Sequence, residues 1–374
     1  MTQRKLYLSP IEALTNQLEK QPKLNGAAGG PDIIPTELLL KAYKETHGKP
    51  GCHDYPGAGG SPEARQAISE YVMKILGFPR TKPDKIIVTA GAQHAIKLLS
   101  QLLLDKEDKA IVENPGFIEG RMPIEYQTEN IETINITLKG EVEIPDLEEK
   151  PKLAYTVPTA HNPLGIDYPE PARNKLRKLA KEEVIVLEDD PYRTLHQNPP
   201  DPVWTPGSNI AYIGSLSKTL APGVRIGFII PPETLIEPLK LLSQHDFATN
   251  TPIGCMLQYL LDTGDLQGHI ALKRTIYVER LNYMKQKLQE EMPDHEISPA
   301  RGGFFVTLRL GCNPFKLLPK ALDLGISFVP IRDFYLHDPV TDAVRISVAK
   351  LRLHDIDEYV KMLAKVARKC RGKS

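Results

Sequence analysis

The chain has 374 residues, enough for two domains of about 150 residues each. Hydrophobic residues make up 41% and charged residues 25%, as in globular proteins that bury a large core. The 47 basic residues balance the 47 acidic ones, and no apolar run approaches the roughly 20 residues of a membrane-spanning helix. We therefore expect neither nucleic acid nor a membrane as a partner.

The cysteines are scattered along the chain and form no Cys-x-x-Cys pair. This spacing argues against a disulfide framework and against a zinc site. It is typical of a protein in a reducing cytosol, so we predict a cytoplasmic location and no bound metal. The cysteines are Cys52, Cys255, Cys312 and Cys370.

The first sixty residues are rich in glycine and proline and predict an extended arm with one short helix. A clear helix follows, because Ser61 suits the N-cap, Pro62 suits the first helical position, and apolar residues then recur at helical spacing. Beyond it, short β-rich runs alternate with helical runs such as Ala92–Leu104 and Pro169–Lys181. The predicted strands are Lys85–Thr89, Ala110–Glu113, Glu132–Thr137, Leu153–Val157, Val184–Glu188, Ile210–Gly214 and Ile226–Ile230.

This alternation predicts an α/β domain with a mostly parallel central sheet. Gly254–Met292 is helical for most of its length and could link two domains, and the remainder predicts a smaller α+β domain. We place an N-terminal arm that packs with the small domain at residues 1–45, the large domain at 46–265, and the linking helix with the small domain at 266–374. The strands and helix of the small domain are predicted near Phe304–Arg309, Ser327–Pro330, Val344–Val348 and His354–Arg371.

Four segments place polar residues just after predicted strands, where an open α/β sheet binds its ligands. The most informative is Tyr212–Phe228, in which Lys218 follows Ser215 and Ser217, and Arg225 comes seven positions later. A lysine amine can form a Schiff base with a phosphorylated aldehyde, while hydroxyls and a guanidinium hold the phosphate. A solvated lysine in a polar turn would not explain the residues around it.

The other three segments are more ambiguous. Asp189 and Asp190 end an apolar strand, where a carboxylate is costly unless paired; a pyridinium N–H would supply a pair, and a helix N-cap would use an Asp equally well. Asn162 lies in a Pro/Gly loop, and a glycine turn opens the helix at Ala92 and Gln93, whose free N–H groups could hold a phosphate. Each of these two could equally be an ordinary turn.

Two further motifs do not extend to a complete site. Ser-Leu-Ser-Lys at 215–218 matches the nucleophile motif of penicillin-binding enzymes, but the S-D-N and K-T-G motifs that those enzymes need are absent. Gly57-x-Gly59 matches half of a dinucleotide-binding loop, but no predicted strand leads into it. We therefore set both interpretations aside.

Together the four segments resemble the fold-type I class I/II aminotransferases, and most closely their 2-aminoadipate/kynurenine aminotransferase-like subgroup. The resemblance runs from Gly29 to Arg345 and rests on H-N-P-x-G, E-D-D-P-Y, S-x-S-K-T-L-A-P-G-x-R-x-G and G-G-F-F. It implies a pyridoxal 5′-phosphate (PLP) enzyme that moves an amino group from an L-amino acid to a 2-oxo acid, with 2-oxoglutarate as the expected acceptor. A PLP lyase or cyclase on the same fold, or a non-catalytic PLP-binding regulatory domain, is the alternative.

The resemblance implies a role for each residue that carries the chemistry. Lys218 would form the aldimine with PLP and move the proton between the substrate Cα and C4′. Asp189 would pair with the pyridine nitrogen, so that the ring can act as an electron sink. Tyr192 and Asn162 would hydrogen-bond the 3′-oxygen of the ring, and Asn162 would also border the substrate.

Other residues would hold the cofactor and the substrate. Phe117 matches the aromatic residue that stacks on the ring, usually Tyr in the subgroup. Arg345 would grip the substrate α-carboxylate, although the alternation of apolar residues in its strand would also allow it to face solvent. The residues implied to hold the phosphate are Ala92, Gln93, Ser215, Ser217, Arg225 and, from the neighbouring subunit of a homodimer, Tyr55.

The sequence departs from the family pattern near the substrate. Leu164 replaces the usual Thr after Asn-Pro, and Ile331 stands where the family has Gly after Pro330. That loop lies near the substrate side chain in relatives, so the resemblance does not identify the substrate.

Overall fold

Runs of β-branched and apolar residues form the strands of the computed structural model, which describes residues 8–17, 22–245 and 249–371. The strands are β1 (Leu24–Asn25), β2 (Ile87–Thr89), β3 (Ala110–Asn114), β4 (Ile131–Ile136), β5 (Val142–Glu143), β6 (Leu153–Thr156), β7 (Ile185–Asp189), β8 (Ile210–Ser215), β9 (Gly227–Ile230), β10 (Phe305–Arg309), β11 (Ile326–Ser327), β12 (Val329–Pro330) and β13 (Ala343–Ser347). The helices are α1 (Pro10–Gln17), α2 (Thr36–Thr46), α3 (Pro62–Lys74), α4 (Ala92–Leu103), α5 (Ile118–Glu125), α6 (Glu170–Lys181), α7 (Ile236–Ser243), α8 (Thr251–Asp262), α9 (Asp265–Glu291), α10 (Pro314–Asp323) and α11 (Leu353–Arg371).

The largest sheet has the strand order β2-β9-β8-β7-β6-β3-β4-β5. Neighbours from β8 to β4 pair in parallel, whereas β9 and β5 run against the others. Every residue of β3, β6 and β8 is buried, as expected for parallel strands covered on both faces. The prediction of an α/β class with a mostly parallel sheet is confirmed.

The direction of the strands determines where polar loops meet. Strands β2, β8, β7, β6 and β3 all run the same way, so their carboxyl ends lie along one edge of the sheet. The residues that follow these strands are Ala92, Ser217, Asp190, Asn162 and Phe117. Side chains that the sequence predicts to bind a ligand therefore converge there from distant parts of the chain.

A second apolar core lies around a smaller antiparallel sheet with the order β10-β13-β12, covered by α9, α10 and α11. The short strand β1 pairs with β11, so the beginning of the described chain joins this core, where Leu24 is buried. Helix α2 instead packs against α8, and its Ala42 belongs to the core of the large sheet. The domain limits at residues 45 and 265 stay a prediction.

Local signals explain where several helices begin and end. The Ser61 hydroxyl accepts a hydrogen bond from the backbone N–H of Ala64, so the predicted N-cap of α3 is confirmed. The helical stretch predicted at Gly254–Met292 is divided into α8 and α9, because Gly264 takes a left-handed conformation with φ of 76° between them. No helix in the described ranges is both long and apolar enough to cross a membrane.

Cys52 and Cys255 form a disulfide bond across 203 residues of sequence. The expectation of no disulfide, which came from the spacing of the cysteines, is therefore wrong for this pair. The N-terminal half of α8 lies beside the segment that holds Cys52 and brings the two Cα atoms to 6.1 Å. Spacing along the chain carries no information about such a contact, whereas Cα separation in the fold decides it.

Candidate functional site

A cavity of about 310 Å³ opens at the carboxyl edge of the large sheet. Its wall combines loops from that sheet with Phe305 of β10 and Arg345 of β13 from the smaller core. The predicted site residues that line it are Ala92, Gln93, Phe117, Asn162, Asp189, Tyr192, Ser215, Ser217, Lys218, Arg225 and Arg345. Tyr55 is the predicted site residue that lies outside it.

Lys218 follows β8 and brings a primary amine to the cavity. Its Nζ donates a hydrogen bond to the carbonyl oxygen of Gly29 over 2.7 Å. Burial and, after it, the positive charge of Arg345 lower the pKa of Lys218 to about 8, against the opposing effect of the Asp189 carboxylate. The free amine, which is the form that attacks a carbonyl, is therefore far more populated at neutral pH than in an ordinary lysine.

The two adjacent carboxylates at the end of β7 have different surroundings. Asp189 lines the cavity; its Oδ2 accepts a hydrogen bond of 3.0 Å from the Tyr155 hydroxyl, and its buried Oδ1 has no partner among the described residues. Burial raises the pKa of Asp189 to about 7, and the bond from Tyr155 offsets part of this rise. Asp190 lies behind the cavity wall, where its Oδ2 accepts bonds from Arg193 over 2.5 Å and from Tyr212 over 3.2 Å.

Arg345 lies in β13, the middle strand of the smaller sheet, and only 1% of it is exposed. Its Nη1 donates to Asn162 Oδ1 over 3.1 Å, and its guanidinium lies 4.2 Å from the ring centre of Phe305. Burial lowers the pKa of Arg345 to about 10, and its Nε has no partner among the described residues. Arg345 therefore faces the cavity rather than solvent, with donor capacity left for an anion.

Two aromatic side chains complete this part of the cavity. The ring of Tyr192 is buried and packs edge-on against Phe304 and Phe305. Phe117 precedes α5, is half-buried and supplies an apolar wall without a hydroxyl. Tyr192 thus brings a phenol, and Phe117 an apolar ring, to the cavity that Lys218 and Asp189 also line.

The opposite end of the cavity is lined by groups that bind anions. Helix α4 begins at Ala92, and the N–H groups of its first turn have no partners within the helix. Arg225 reaches the same turn, where its Nη2 donates to the carbonyl oxygen of Ala90 over 2.5 Å. Gly91 is required at this turn, because it has φ of 93° and an added Cβ would lie 2.8 Å from Arg225 Nη2.

The hydroxyls of Ser215 and Ser217 line this same anion-binding end. The backbone N–H of Ser217 donates to Ser215 Oγ over 3.2 Å, which orients that hydroxyl. Tyr55 is 90% exposed and lines a separate groove that also includes Arg225. Within one chain, Tyr55 therefore stands next to the anion-binding end without entering the cavity.

Sequence reasoning missed several cavity residues. Tyr155, which bonds Asp189, lies on the neighbouring strand β6, and the apolar pattern of that strand hid its polar function. Ile11, Glu12 and Glu119 also line the cavity, although α1 is far from the motifs in sequence. The one available signal was the position of Glu119, two residues after Phe117.

Beneath Asn162 lies a buried polar cluster that sequence reasoning also missed. Glu113 Oε1 accepts bonds from the Tyr168 hydroxyl over 2.7 Å and from the backbone N–H of Val157 over 2.6 Å, and its other oxygen lies 3.4 Å from His161 Nε2. All of these groups are buried. The cluster fastens the loop that presents Asn162 to Arg345.

This set of residues fits a phosphorylated pyridine aldehyde. A buried carboxylate with an unpartnered oxygen can accept a bond from a ring N–H, and the Lys218 amine can reach an aldehyde carbon. The first turn of α4, the two serines and Arg225 provide donors for a phosphate. Arg345 adds a binding group for a substrate carboxylate.

Comparison with known proteins agrees with this geometry. The sequence profile of aminotransferase class I and II matches residues 24–363. Aromatic-amino-acid aminotransferase 1 of Thermococcus litoralis is 30% identical over 378 residues, which cover 95% of this chain and 90% of that protein.

Solved structures extend the agreement to the whole fold. Kynurenine aminotransferase of Pyrococcus horikoshii, in complex with PMP, has a TM-score of 0.88 and 27% identity, covering 98% of this chain and 95% of that one. LysN, an α-aminoadipate aminotransferase of Thermus thermophilus complexed with N-(5′-phosphopyridoxyl)-L-leucine, has a TM-score of 0.84 and 25% identity, covering 96% and 95%. The predicted resemblance is thereby confirmed, and the chain belongs to the aminotransferase class I and II family as a PLP-dependent aminotransferase of fold type I.

Proposed function

We propose that Lys218 is the catalytic lysine of this aminotransferase, that Asp189 is the partner of the cofactor ring nitrogen, and that Arg345 binds the α-carboxylate of both substrates. One observation carries the proposal: a lysine whose pKa is lowered to about 8 lies in the same cavity as a buried carboxylate and a buried guanidinium that each keep an unpartnered atom. The substrates are an L-amino acid and a 2-oxo acid, with 2-oxoglutarate as the first acceptor to test.

When bound, PLP supplies an electron sink for the bond that breaks at the substrate α-carbon. The Lys218 amine would take the proton from that carbon and return it at C4′ of the cofactor, a role that its lowered pKa suits near neutral pH. Asp189 accepts a hydrogen bond from the ring nitrogen. A cationic ring N–H bound there would lower the pKa of Asp189, which burial now raises to about 7, and the carboxylate would then stay ionised.

Arg345 and Asn162 orient the substrate. A carboxylate can bind two parallel N–H groups of a guanidinium, and Arg345 is held for this by its bond to Asn162 Oδ1 and by its bond to the Ala27 carbonyl oxygen over 3.2 Å. The amino donor and the oxo acceptor both carry an α-carboxylate. One site therefore serves the two half-reactions in turn, which gives ping-pong kinetics.

An isologous homodimer would complete the phosphate site. Tyr55 is 90% exposed in a groove that it shares with Arg225, so its hydroxyl suits contact with a neighbouring subunit. A cytoplasmic location stays a prediction, and the Cys52–Cys255 bond removes the argument from cysteine spacing that supported it.

Reduction of the PLP-loaded protein with borohydride, followed by peptide mapping, tests the proposal. The pyridoxyl group should be found on Lys218. A pyridoxyl group on another lysine, such as Lys97 or Lys240, would contradict it. The two half-reactions are tested separately. In the first, a set of amino donors is screened by the absorbance change that accompanies conversion of PLP to PMP. In the second, 2-oxoglutarate is added to the PMP form, and the return of PLP is measured.

A further inference from the structure

One wall of the cavity carries negative charge that the proposed chemistry does not use. Glu12 of α1 and Glu119 of α5 line it together with the apolar Ile11. The same two carboxylates also line an adjoining groove of about 640 Å³. The wall therefore lies between the reacting centre and a space large enough to receive a substrate side chain.

Glu119 is held in place by a hydrogen bond from the segment that precedes α1. Its Oε1 accepts a hydrogen bond of 2.8 Å from the Ser9 hydroxyl, and Ser9 Oγ in turn accepts the backbone N–H of Glu12 over 3.0 Å at the start of α1. The Oε2 atom of Glu119 is buried without a hydrogen-bond partner, and no cation of the described ranges forms an ion pair with this carboxylate. The negative charge of Glu119 also raises the pKa of Lys218 and of Arg345.

The cations that line the cavity have other partners. Lys218 is the nucleophile, Arg225 contacts the turn that would hold the phosphate, and Arg345 faces the α-carboxylate site. Within the described part of one chain, the lining of the cavity itself offers no further Lys or Arg for a second substrate carboxylate, and Lys97 and His94 lie in the adjoining groove. An unpaired carboxylate in a partly buried wall attracts a cation and repels another anion.

We propose that Glu119, with Glu12 beside it, selects an amino donor whose side chain is cationic, such as L-lysine or L-ornithine. This inference rests on the proposed function and names its substrate class. The α-amino group passes to the oxo acid, so the donor α-carbon is oxidised to a ketone and the acceptor carbonyl carbon is reduced to an amine. The free side-chain amine of the product then closes onto its own ketone with loss of water, and a cyclic imine forms in solution.

The same charge affects the acceptor. A 2-oxo acid with a neutral side chain, such as pyruvate, should accept the amino group more readily than 2-oxoglutarate, whose distal carboxylate would face Glu119. This consequence is independent of the donor measurements because the two half-reactions can be followed one at a time.

The test uses the full-length PLP-loaded enzyme and single half-reactions that convert PLP to PMP. L-lysine is compared with L-norleucine, and L-ornithine with L-norvaline, since each pair differs by the side-chain amine. For at least one pair we expect kcat/KM to be about tenfold or more higher for the cationic member. The specificity ratio is kcat/KM for the cationic donor divided by kcat/KM for its neutral counterpart. Glu119→Gln should lower this ratio about tenfold, and Glu119→Lys should shift the preference toward L-glutamate.

Glu170→Gln is the matched control, because Glu170 also lies in the first turn of a helix but is exposed and paired with Arg177. Its ratio should equal that of the wild type. Ser9→Ala removes the hydroxyl that holds Glu119 while leaving the charge in place. If Ser9→Ala lowers the ratio as much as Glu119→Gln does, Glu119 acts by placing α1 and the proposal is wrong.

The outcomes also separate this inference from the proposed function. If no donor converts PLP to PMP, the proposed function fails and the inference fails with it. If norleucine and norvaline both react as fast as their cationic counterparts, the inference alone is overturned. Thermal unfolding and PLP content measured for each variant distinguish a misfolded protein from an altered specificity.

Discussion

The two ends of the cavity are built differently. At the end that would hold the ring and the substrate, Asp189, Asn162 and Arg345 are each at most 3% exposed and are oriented by specific side-chain bonds. At the phosphate end, the donors are backbone N–H groups, two hydroxyls and the exposed Arg225. Charged groups shift the pKa values of one another strongly only when they are buried, because water screens their interaction. A phosphate, by contrast, can be held near the surface by many hydrogen-bond donors that are individually weak.

This difference predicts how each end responds to mutation. Removing one buried charge at the ring end leaves its partners uncompensated, so single substitutions there should be costly. At the phosphate end several donors each contribute a part of the binding free energy, so the loss of one donor should weaken PLP binding only slightly. The following experiments test that contrast, beginning with the largest expected effect.

Arg345→Ala should raise KM steeply for both the amino donor and the 2-oxo acid, because both present an α-carboxylate. Losing one partner of a buried charged pair costs on the order of 2–5 kcal/mol, or roughly 30- to 5,000-fold. Arg345→Lys should recover only part of this, since an ammonium cannot make two parallel bonds. Steady-state kinetics for both substrates measure it, with PLP affinity expected to stay close to that of the wild type.

Arg332→Ala is the control for that substitution. Arg332 lies in the atypical loop after Pro330, where it is exposed and paired with Asp333. Its removal should leave KM nearly unchanged. If Arg332→Ala were the damaging variant and Arg345→Ala the neutral one, the α-carboxylate would bind at the loop instead.

Asp189→Asn should keep PLP bound but reduce turnover on the order of 10²-fold, because a neutral amide cannot hold the ring nitrogen protonated. Asp190→Asn should instead act mainly on the free energy of unfolding, since it breaks the buried pair with Arg193. Single-turnover rates and thermal unfolding of both variants separate the two effects. The reverse pattern would show that the roles are shifted by one residue.

Tyr55→Phe tests the phosphate end and should weaken PLP binding only about fivefold, the effect of one hydrogen bond among several. Equilibrium dialysis of PLP gives the affinity, and light scattering gives the assembly state. A fully active monomer would exclude the contribution of Tyr55 from a neighbouring subunit. If Tyr55→Phe weakened PLP affinity by as large a factor as Arg345→Ala raises KM, the two ends of the cavity would not differ as proposed.

The smallest expected effect is a shift in the pH dependence of the rate at which the cofactor-free protein captures PLP. Because the pKa of Lys218 is lowered to about 8, the capture rate should rise with pH and level off near that value instead of near 10.5. Arg345→Ala should move the inflection to higher pH, since the positive charge of Arg345 lowers the pKa of Lys218. An inflection that does not move would mean that the two groups are not electrostatically coupled.

The α/β class, the parallel sheet and most of the cavity residues could be read from the amino-acid sequence. Apolar runs reveal buried strands, and polar residues just after parallel strands converge at one edge whatever the detailed packing. Lys218, Asp189 and Asn162 therefore came together as expected. Their positions follow from local pattern and from one general rule of sheet topology.

The tertiary structure decided what depends on contacts between distant segments. Arg345 is buried because its face of the small sheet lies against the Asn162 loop and the rings of Phe305 and Phe334, which the alternation of its own strand does not reveal. The Ser9–Glu119 bond joins residues 110 positions apart, and the Cys52–Cys255 bond joins residues 203 apart. Such pairings depend on how whole elements pack, since the free energy that places α1 and α8 comes from apolar contacts spread over many residues.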